Sequence, residues 1–267
     1  MAIETVRLVQ FAPVLGPPDD GTLDRICETV RRTDADLVVF TELTTTGYHI
    51  FDRLPAYAEP IGGETTTRIG RAAVSADTHV LFGMAVANGD EIYNSAVWID
   101  RDGAVRGRYD KRQLWGEEKT VFTPGTDLLV VEGSRHTFGI QICYDLNFPE
   151  QSASFAKAAI DVLINISAWS VSMSSDWDRL LSARALENGA YVLACNRVGD
   201  EHQTTFHGHS AVYNPDGTIA ARLKSDAGTL SRRLSDELLD RERNRNPMRR
   251  DRRERSAEIT RISIERD

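Results

Sequence analysis

The segment from Thr137 to Glu150 reads TFGIQICYDLNFPE and changes its character at the centre. Its first part, Thr137–Ile142, is a mainly apolar run of the length expected for a strand that is covered on both faces. Its second part leads into Gln151–Ala159, an alanine-rich stretch that predicts a helix. The segment therefore predicts a strand, a sharp turn and a helix, with Cys143 at the exit of the strand.

The rest of the chain repeats this alternation of short apolar runs and helical stretches. The other predicted strands are Val6–Phe11, Leu37–Phe40, His79–Phe82, Val162–Ile166 and Tyr191–Cys195. Apolar residues at helical spacing predict two more helices, Thr22–Arg32 and Asp178–Asn188. Strands that alternate with helices predict an α/β protein whose helices pack outside its sheets.

Two hairpins interrupt the alternation. One runs from Asn94–Ile99 into Ala104–Tyr109, and the other from His209–Tyr213 into Thr218–Leu223. Their turns contain Asp-Gly and Pro-Asp-Gly, in which glycine supplies the positive φ that a tight turn needs. The two hairpins resemble equivalent pieces of two halves, although no sequence repeat accompanies them.

The composition changes near residue 230. Residues 1–230 are interpreted as one domain and residues 231–267 as a charged C-terminal arm or tail, rich in arginine, aspartate and glutamate. Leu234, Leu238 and Leu239 could form one short amphipathic helix before Asn246-Pro247 breaks it. Such a segment is either a solvated tail or an arm that docks on a neighbouring subunit.

Composition narrows the classes of function. The 267 residues carry a net charge of −8, which argues against nucleic acid or an anionic membrane as the main partner. Three cysteines without a zinc-type spacing predict neither a disulfide framework nor a metal site. The first residues lack the pattern of a signal peptide, and no apolar run reaches the ~18 residues that span a bilayer. The expected location is the cytoplasm.

Cys143 is the first candidate for chemistry. A cysteine between a strand and a helix N-terminus meets backbone N–H groups and a positive dipole end, which predicts a lowered thiol pKa and an oxyanion site. The alternative is a small buried apolar residue, as most free cysteines are.

Three further charged residues are candidates for catalysis if they lie beside such a thiol. Glu42 closes a predicted strand, where open α/β sheets bind ligands, and suits a general base. Lys111 could stabilise a tetrahedral oxyanion, and Glu118 follows it one segment later. Alone, Glu42 could be a helix cap or turn residue and Lys111 an ordinary surface residue.

Together these segments resemble the nitrilase superfamily, the carbon–nitrogen hydrolases, along nearly the whole chain to about Leu223. The matching motifs occur in the family's order and include Glu42-Leu43 with Thr46-Gly47-Tyr48, Tyr109-Asp110-Lys111, Phe122–Gly125, Cys143–Glu150, Asn165–Trp169, Arg184–Asn188, Asn196–Gly199 and Gly208-His209-Ser210. The resemblance implies a four-layer α-β-β-α sandwich that forms a homodimer or a higher homo-oligomer. Thr41 departs from the pattern, because the family usually has proline before its first glutamate.

The resemblance also implies the catalytic residues. The family's glutamate, lysine and cysteine correspond to Glu42, Lys111 and Cys143, and its second glutamate to Glu118, although Glu117 is adjacent. The implied reaction is acyl transfer through a thioester, which needs no metal or other cofactor. Tyr144 and Trp169 are expected to form pocket walls, with core packing as the alternative.

The implied substrate is a small carboxamide, which would be converted to a carboxylic acid and ammonia. Tyr144-Asp145 is similar to the amidases rather than the nitrile-cleaving branch, and Asn147 replaces an arginine found in members that act on ω-amides. Tyr48 and Trp115, the other expected substrate-binding residues, lie in segments similar to members that act on small carboxamides. N-carbamoyl hydrolysis and nitrile hydrolysis remain alternatives, as do acyl transfer to an amine and a catalytically silent binding subunit. His207 and His209 suggest hydrogen bonding rather than a metal, since no third ligand accompanies them.

Overall fold

The computed structural model of the chain describes residues 2–18 and 21–252, and these form fourteen strands and seven α-helices. The strands are β1 Thr5–Gln10, β2 Leu37–Val39, β3 His79–Asn88, β4 Glu91–Ile99, β5 Val105–Asp110, β6 Leu129–Glu132, β7 Thr137–Ile142, β8 Val162–Ser167, β9 Tyr191–Asn196, β10 Asp200–Glu201, β11 Thr204–Thr205, β12 Ala211–Tyr213, β13 Ile219–Arg222 and β14 Gly228–Arg233. The helices are α1 Thr22–Arg31, α2 Leu54–Tyr57, α3 Glu64–Ala76, α4 Pro149–Lys157, α5 Ser174–Asn188, α6 Asp236–Arg245 and α7 Met248–Asp251.

Twelve of the strands form two six-stranded sheets with matching topology. The first sheet has the order β14-β1-β2-β3-β4-β5, and the second has the order β13-β12-β9-β8-β7-β6. Each sheet has three parallel strands, β1-β2-β3 in the first and β7-β8-β9 in the second. An antiparallel hairpin continues each set, β4–β5 in one sheet and β12–β13 in the other. The two predicted hairpins therefore occupy equivalent positions.

Alternation along the strands of the first sheet divides its apolar residues between two layers. Leu8, Leu81 and Trp98 belong to the core cluster that also contains Phe138 and Ile140 of the second sheet. Their strand neighbours pack on the other face, where the cluster includes residues of α1 and α3. Successive side chains of a strand point to opposite faces, so both faces of this sheet are covered. Together with α4 and α5 against the second sheet, this gives the expected α-β-β-α sandwich.

The predicted strands and helices are present, with ends shifted by a few residues. Strand β3 is the largest difference, because it extends to Asn88 rather than ending at Phe82. Helix α3 was not predicted from the sequence. Its first turn contains Thr65, Thr66 and Thr67, and β-branched residues favour helices weakly. Tertiary packing compensates, since Ile69 and Ala72 of α3 are fully buried.

The predicted domain boundary at residue 230 is corrected by the structure. Strand β14 crosses this position and pairs with β1 in antiparallel register, Leu230 opposite Leu8. Leu234 and Leu239 then enter the main core, and the Ser235 side chain caps α6 by accepting from the N–H of Leu238 at 3.2 Å. Residues 231–245 therefore belong to the sandwich. The segment is rich in charged residues, but the burial of Leu234 and Leu239 holds it against the core. The end of the predicted tail, 253–267, lies outside the described residues.

In residues 2–18 and 21–252, no helix has both the length and the apolar character required to cross a bilayer.

Candidate active site

The candidate site lies where strands of both sheets end. Lys111 directly follows β5 of the first sheet, and Glu42 lies three residues after β2. Cys143 directly follows β7 of the second sheet, and Ala168 follows β8. Because the ends of parallel strands meet at one edge of each sheet, residues distant in sequence converge there.

Lys111 is the centre of a buried charged group. Its Nζ donates to Oε1 of Glu42 at 2.7 Å and to Oε1 of Glu118 at 2.6 Å, and all three side chains have 0% exposure. Burial opposes the charge on Lys111, but the fields of Glu118 and Glu42 outweigh it and raise the pKa of this amine. An ammonium has three N–H donors, so one remains available to another acceptor.

Glu42 has two further partners that the sequence did not indicate. Asn94 Nδ2 donates to Oε1 at 2.8 Å, and the backbone N–H of Ala168 donates to Oε2 at 2.8 Å. Both carboxylate oxygens are therefore held, one from each sheet. The only local signal for Asn94 was a polar residue inside an apolar strand.

Glu118 lies in a 3₁₀ turn, Gly116–Thr120, and is buried, whereas Glu117 is exposed. The hydroxyl of Tyr48 donates to Oε1 of Glu118, and the N–H of Trp115 donates to Oε2 at 3.0 Å. Burial raises the pKa of Glu118, partly against the effect of Lys111. Burial also keeps the pKa of Tyr48 well above its ordinary value, so this phenol stays a donor.

Cys143 adopts a strained backbone at the end of β7. Its φ is +47°, a left-handed conformation that non-glycine residues rarely adopt, and it begins the 3₁₀ turn Cys143–Asn147. The expectation of a lowered thiol pKa is corrected. Burial and the field of Glu42 hold the pKa of Cys143 well above its ordinary value, and Lys111 offsets them only in part. The resting thiol is therefore protonated at neutral pH.

Asp145 holds the turn that carries this cysteine. Its carboxylate accepts from the hydroxyl of Tyr109 at 2.6 Å, the N–H of Gln113 at 2.9 Å and the N–H of Ile142 at 3.1 Å. Burial raises the pKa of Asp145, although these donors oppose the rise. The turn after β7 is thus connected to β5 and to the segment that follows Lys111.

A pocket of about 700 Å³ opens above Cys143. The four residues expected to bind substrate, Tyr48, Trp115, Tyr144 and Trp169, all line it. The rings of Trp115 and Tyr144 meet edge to face with centroids 4.7 Å apart. The other lining residues are His49, Ala168, Ser170, Val171, Ser172, Met173, Gln203, Thr204, Thr205 and Phe206.

A buried ion pair supports one wall of this pocket. Arg197 and Glu201 are hydrogen-bonded, and each side chain is 1% exposed. The Glu201 carboxylate also accepts from the backbone N–H groups of Tyr48 and His49, at 3.0 Å and 2.8 Å. The guanidinium of Arg197 lies 4.1 Å from the ring centroid of Phe206. The pair therefore fixes the loop from which Tyr48 reaches Glu118, a role without a local sequence signal.

His207, His209, Cys27 and Cys195 do not line the pocket. The rings of His207 and His209 stack 4.1 Å apart, and His209 Nδ1 lies 2.7 Å from the carbonyl oxygen of His207. Cys27 and Cys195 are buried in the core. Across residues 2–18 and 21–252, no three His, Cys, Asp or Glu side chains are grouped in a way that could hold a metal ion.

A family model and a related hydrolase both match most of the chain. Residues 5–241 match the family model described as carbon-nitrogen hydrolase. A hydrolase encoded in the pqqF 5′ region of Pseudomonas protegens is 33% identical over 245 residues, covering 88% of this chain and 86% of that protein.

Two solved structures extend the comparison to the fold. A CN-hydrolase superfamily protein from Xanthomonas campestris, with an arsenic adduct in its active site, superposes with a TM-score of 0.87 at 26% identity, covering 97% of this chain and 100% of that chain. A variant of the amidase from Nesterenkonia sp. AN1, with acrylamide added to its active-site cysteine, has a TM-score of 0.77 at 25% identity, covering 91% of this chain and 97% of that chain.

Proposed function

The chain belongs to the carbon-nitrogen hydrolase family, and from that premise we propose that it hydrolyses small carboxamides to carboxylic acids and ammonia. Cys143 is the nucleophile, Glu42 the general base and acid, Lys111 the oxyanion donor and Glu118 the residue that orients Lys111. The observation that carries the proposal is the buried group of Glu42, Lys111 and Glu118, whose charges act on the Cys143 thiol.

The first half-reaction forms a thioester. Cys143 Sγ attacks the amide carbonyl carbon while Glu42 takes the thiol proton, which it must do because the resting thiol is protonated. The free N–H of Lys111 and the backbone N–H of Tyr144 hold the oxyanion. Glu42 then passes the proton to the amide nitrogen, the C–N bond breaks, and ammonia leaves.

The second half-reaction releases the acid. Glu42 takes a proton from a water molecule, whose oxygen attacks the thioester carbonyl carbon. The tetrahedral intermediate uses the same oxyanion donors. The C–S bond breaks, the sulfur takes the proton back from Glu42, and the carboxylic acid is released. One carboxylate makes all four proton transfers, which suits the fixed geometry of Glu42 between Asn94 and Ala168.

Ammonia release tests the proposal directly. The substrates are primary amides, N-carbamoyl amino acids and nitriles, each given to the wild type, Cys143→Ala and Cys195→Ala. Cys195 is the matched control, because it is a buried thiol in the core and does not line the pocket. We expect the amides to release ammonia and Cys143→Ala to lower the rate at least about 10³-fold, whereas Cys195→Ala stays near the wild type.

Intact-protein mass spectrometry of the quenched reaction should show an acyl adduct on the wild type that Cys143→Ala lacks. If only the carbamoyl compounds or only the nitriles released ammonia, that class would be the substrate instead of the carboxamides. Equal rates of ammonia release for the wild type and Cys143→Ala would exclude Cys143 as the nucleophile. No ammonia from any class, with Cys143 slow to react with iodoacetamide even at alkaline pH, would favour a binding subunit.

A further inference from the structure

The walls of the pocket carry no fixed charge among the described residues. Aromatic rings from Tyr48, Trp115, Tyr144, Trp169 and Phe206 line the pocket, together with the apolar side chains of Ala168, Val171 and Met173. The remaining polar lining consists of hydroxyl and amide side chains and a single imidazole, that of His49. An aromatic wall with uncharged donors and acceptors binds neutral groups well but leaves an anion without a counter-ion.

The buried charged group next to Cys143 adds no excess positive charge. Lys111 is the ammonium of this group, and it already faces the two carboxylates of Glu42 and Glu118. Burial raises the pKa of the Cys143 thiol, so the sulfur is uncharged at rest. A carboxylate that enters next to Cys143 would therefore approach the carboxylates of Glu42 and Glu118, and the ammonium of Lys111 is already shared between them.

Two basic groups at the walls, Arg197 and His49, supply no free positive charge. Arg197 lies behind Phe206, but Glu201 shares its charge and both are buried. Burial lowers the pKa of His49, the lining imidazole, so this ring is neutral at pH 7. The arginines of α7, the last described helix, lie away from the pocket. Arg249 donates to the carbonyl of Ile160, just before β8, whereas Ala168 of the pocket follows the opposite end of that strand.

We propose that the acyl group of the substrate is uncharged and that the site rejects amides that carry a carboxylate close to the reacting amide. This inference rests on the proposed amidase function and names the class of amide within it. The favoured acyl group is a neutral chain or ring that packs against the aromatic rings and can hydrogen-bond to Ser172, Gln203 or Thr204, which also line the pocket.

Three amides of matched shape test the inference. Succinamic acid carries a carboxylate at neutral pH, succinamide replaces it with a neutral amide, and 4-methylpentanamide replaces it with an isopropyl group. We expect kcat/KM for both neutral amides to exceed that for succinamic acid at least about 100-fold, since an unpaired charge in a buried site is strongly disfavoured. Equal or faster turnover of succinamic acid would overturn the inference.

Protection of Cys143 from alkylation separates this inference from the proposed function. Each amide is added to the wild type before iodoacetamide, and the labelling rate is followed by mass. Protection by the neutral amides but not by succinamic acid supports the neutral pocket, even if no amide is hydrolysed and the proposed reaction is wrong. Protection by succinamic acid at equal concentration, or by none of the three, counts against the neutral pocket.

A charge added to the wall should reverse the preference. Ser172 lines the pocket and is exposed, so its replacement leaves the core packing unaltered. Ser172→Arg should raise kcat/KM for succinamic acid at least about tenfold relative to 4-methylpentanamide, and Ser172→Gln, which is long but uncharged, should not. The same ratio in both variants would mean that charge in the wall does not decide the selection.

Discussion

A single carboxylate, Glu201, connects the pocket wall to the buried charges beneath it. It binds the backbone of Tyr48 and His49, and Tyr48 in turn donates to Glu118. Glu118 holds Lys111 through a 2.6 Å bond. These bonds form a continuous series from Glu201 to the ammonium, so we expect a displacement at Glu201 to reach it. Glu201 therefore acts as a positioning residue, without touching the pocket itself.

Glu201→Gln should destabilise the protein and impair turnover. The change leaves the Arg197 guanidinium buried without an anion, which costs about 3–5 kcal/mol of unfolding free energy. Urea unfolding measures this loss, and the exposed pair of Glu28 and Arg32 provides the control. Glu28→Gln should change the free energy of unfolding by less than about 1 kcal/mol.

The double variant Arg197→Met/Glu201→Gln separates charge from positioning. It removes the unpaired cation, so most of the unfolding free energy should return. Turnover should stay low, because a neutral amide oxygen holds the Tyr48 loop less firmly than a carboxylate. Full recovery of kcat along with stability would show that the pair has only a structural role.

At the scale of elements, strand β3 determines where Glu42 lies. Gly83 of this strand exchanges hydrogen bonds with the turn after β2, through Thr41 at 3.1 Å and Thr44 at 2.8 Å. A Cβ added at Gly83 would lie 2.6 Å from the backbone N of Leu43 and 2.8 Å from Cα of Glu42. Only glycine permits the strand and the turn to approach so closely.

Gly83→Ala should therefore displace Glu42 and lower kcat. Backbone atoms cannot yield as a flexible side chain can, and an error of about 1 Å in a catalytic group costs about 100-fold in rate. Gly107→Ala in β5 is the matched control, since its Cβ would meet only side-chain carbons of Leu129, the nearest at 3.1 Å. Similar kcat values for the two variants would contradict this account of Glu42.

At the scale of the molecule, Asp36 joins three parts of the first sheet. Its carboxylate accepts from the N–H groups of Glu4 and Thr5 at 3.0 Å and 2.8 Å and from Arg101 at 2.9 Å. Burial opposes its charge, but these donors outweigh burial and lower the pKa of Asp36 from 3.8 to about 2. A carboxyl with a lowered pKa stabilises the fold above its ordinary pKa, and this stability is lost as the pH falls towards about 2.

Asp36→Asn should thus reduce stability in a pH-dependent way. At pH 7 we expect a loss of about 2 kcal/mol in the free energy of unfolding. This loss should shrink below about pH 4, where the carboxyl of the unfolded wild type becomes protonated before that of the folded protein. Urea unfolding between about pH 3 and pH 7 measures the difference. Asp34→Asn is the control, because the Asp34 side chain is 87% exposed, and its effect should stay below about 1 kcal/mol. A difference for Asp36→Asn that is constant with pH would exclude this linkage.

The sequence by itself determined the local structure. The strand–turn–helix around Cys143, both hairpins and the α/β class follow from apolar periodicity and turn residues, which act over a few neighbouring positions. The carbon–nitrogen hydrolase resemblance was equally readable, since its motifs are short and ordered along the chain. The roles of Glu42, Lys111, Glu118 and Cys143 stay predictions until the proposed variants are measured.

Only the tertiary structure decided which residues distant in sequence contact each other and how they change the pKa of a buried group. The pairing of β14 with β1 joins segments more than two hundred residues apart, so composition alone misplaced the boundary at 230. Asn94 and Ala168 reach Glu42 only when the two sheets meet. The thiol pKa of Cys143 rises instead of falling, because burial and the field of Glu42 outweigh the effects of Lys111 and of the Ala168 backbone N–H. Burial and electrostatic fields are properties of the assembled fold, and no local stretch of sequence encodes them.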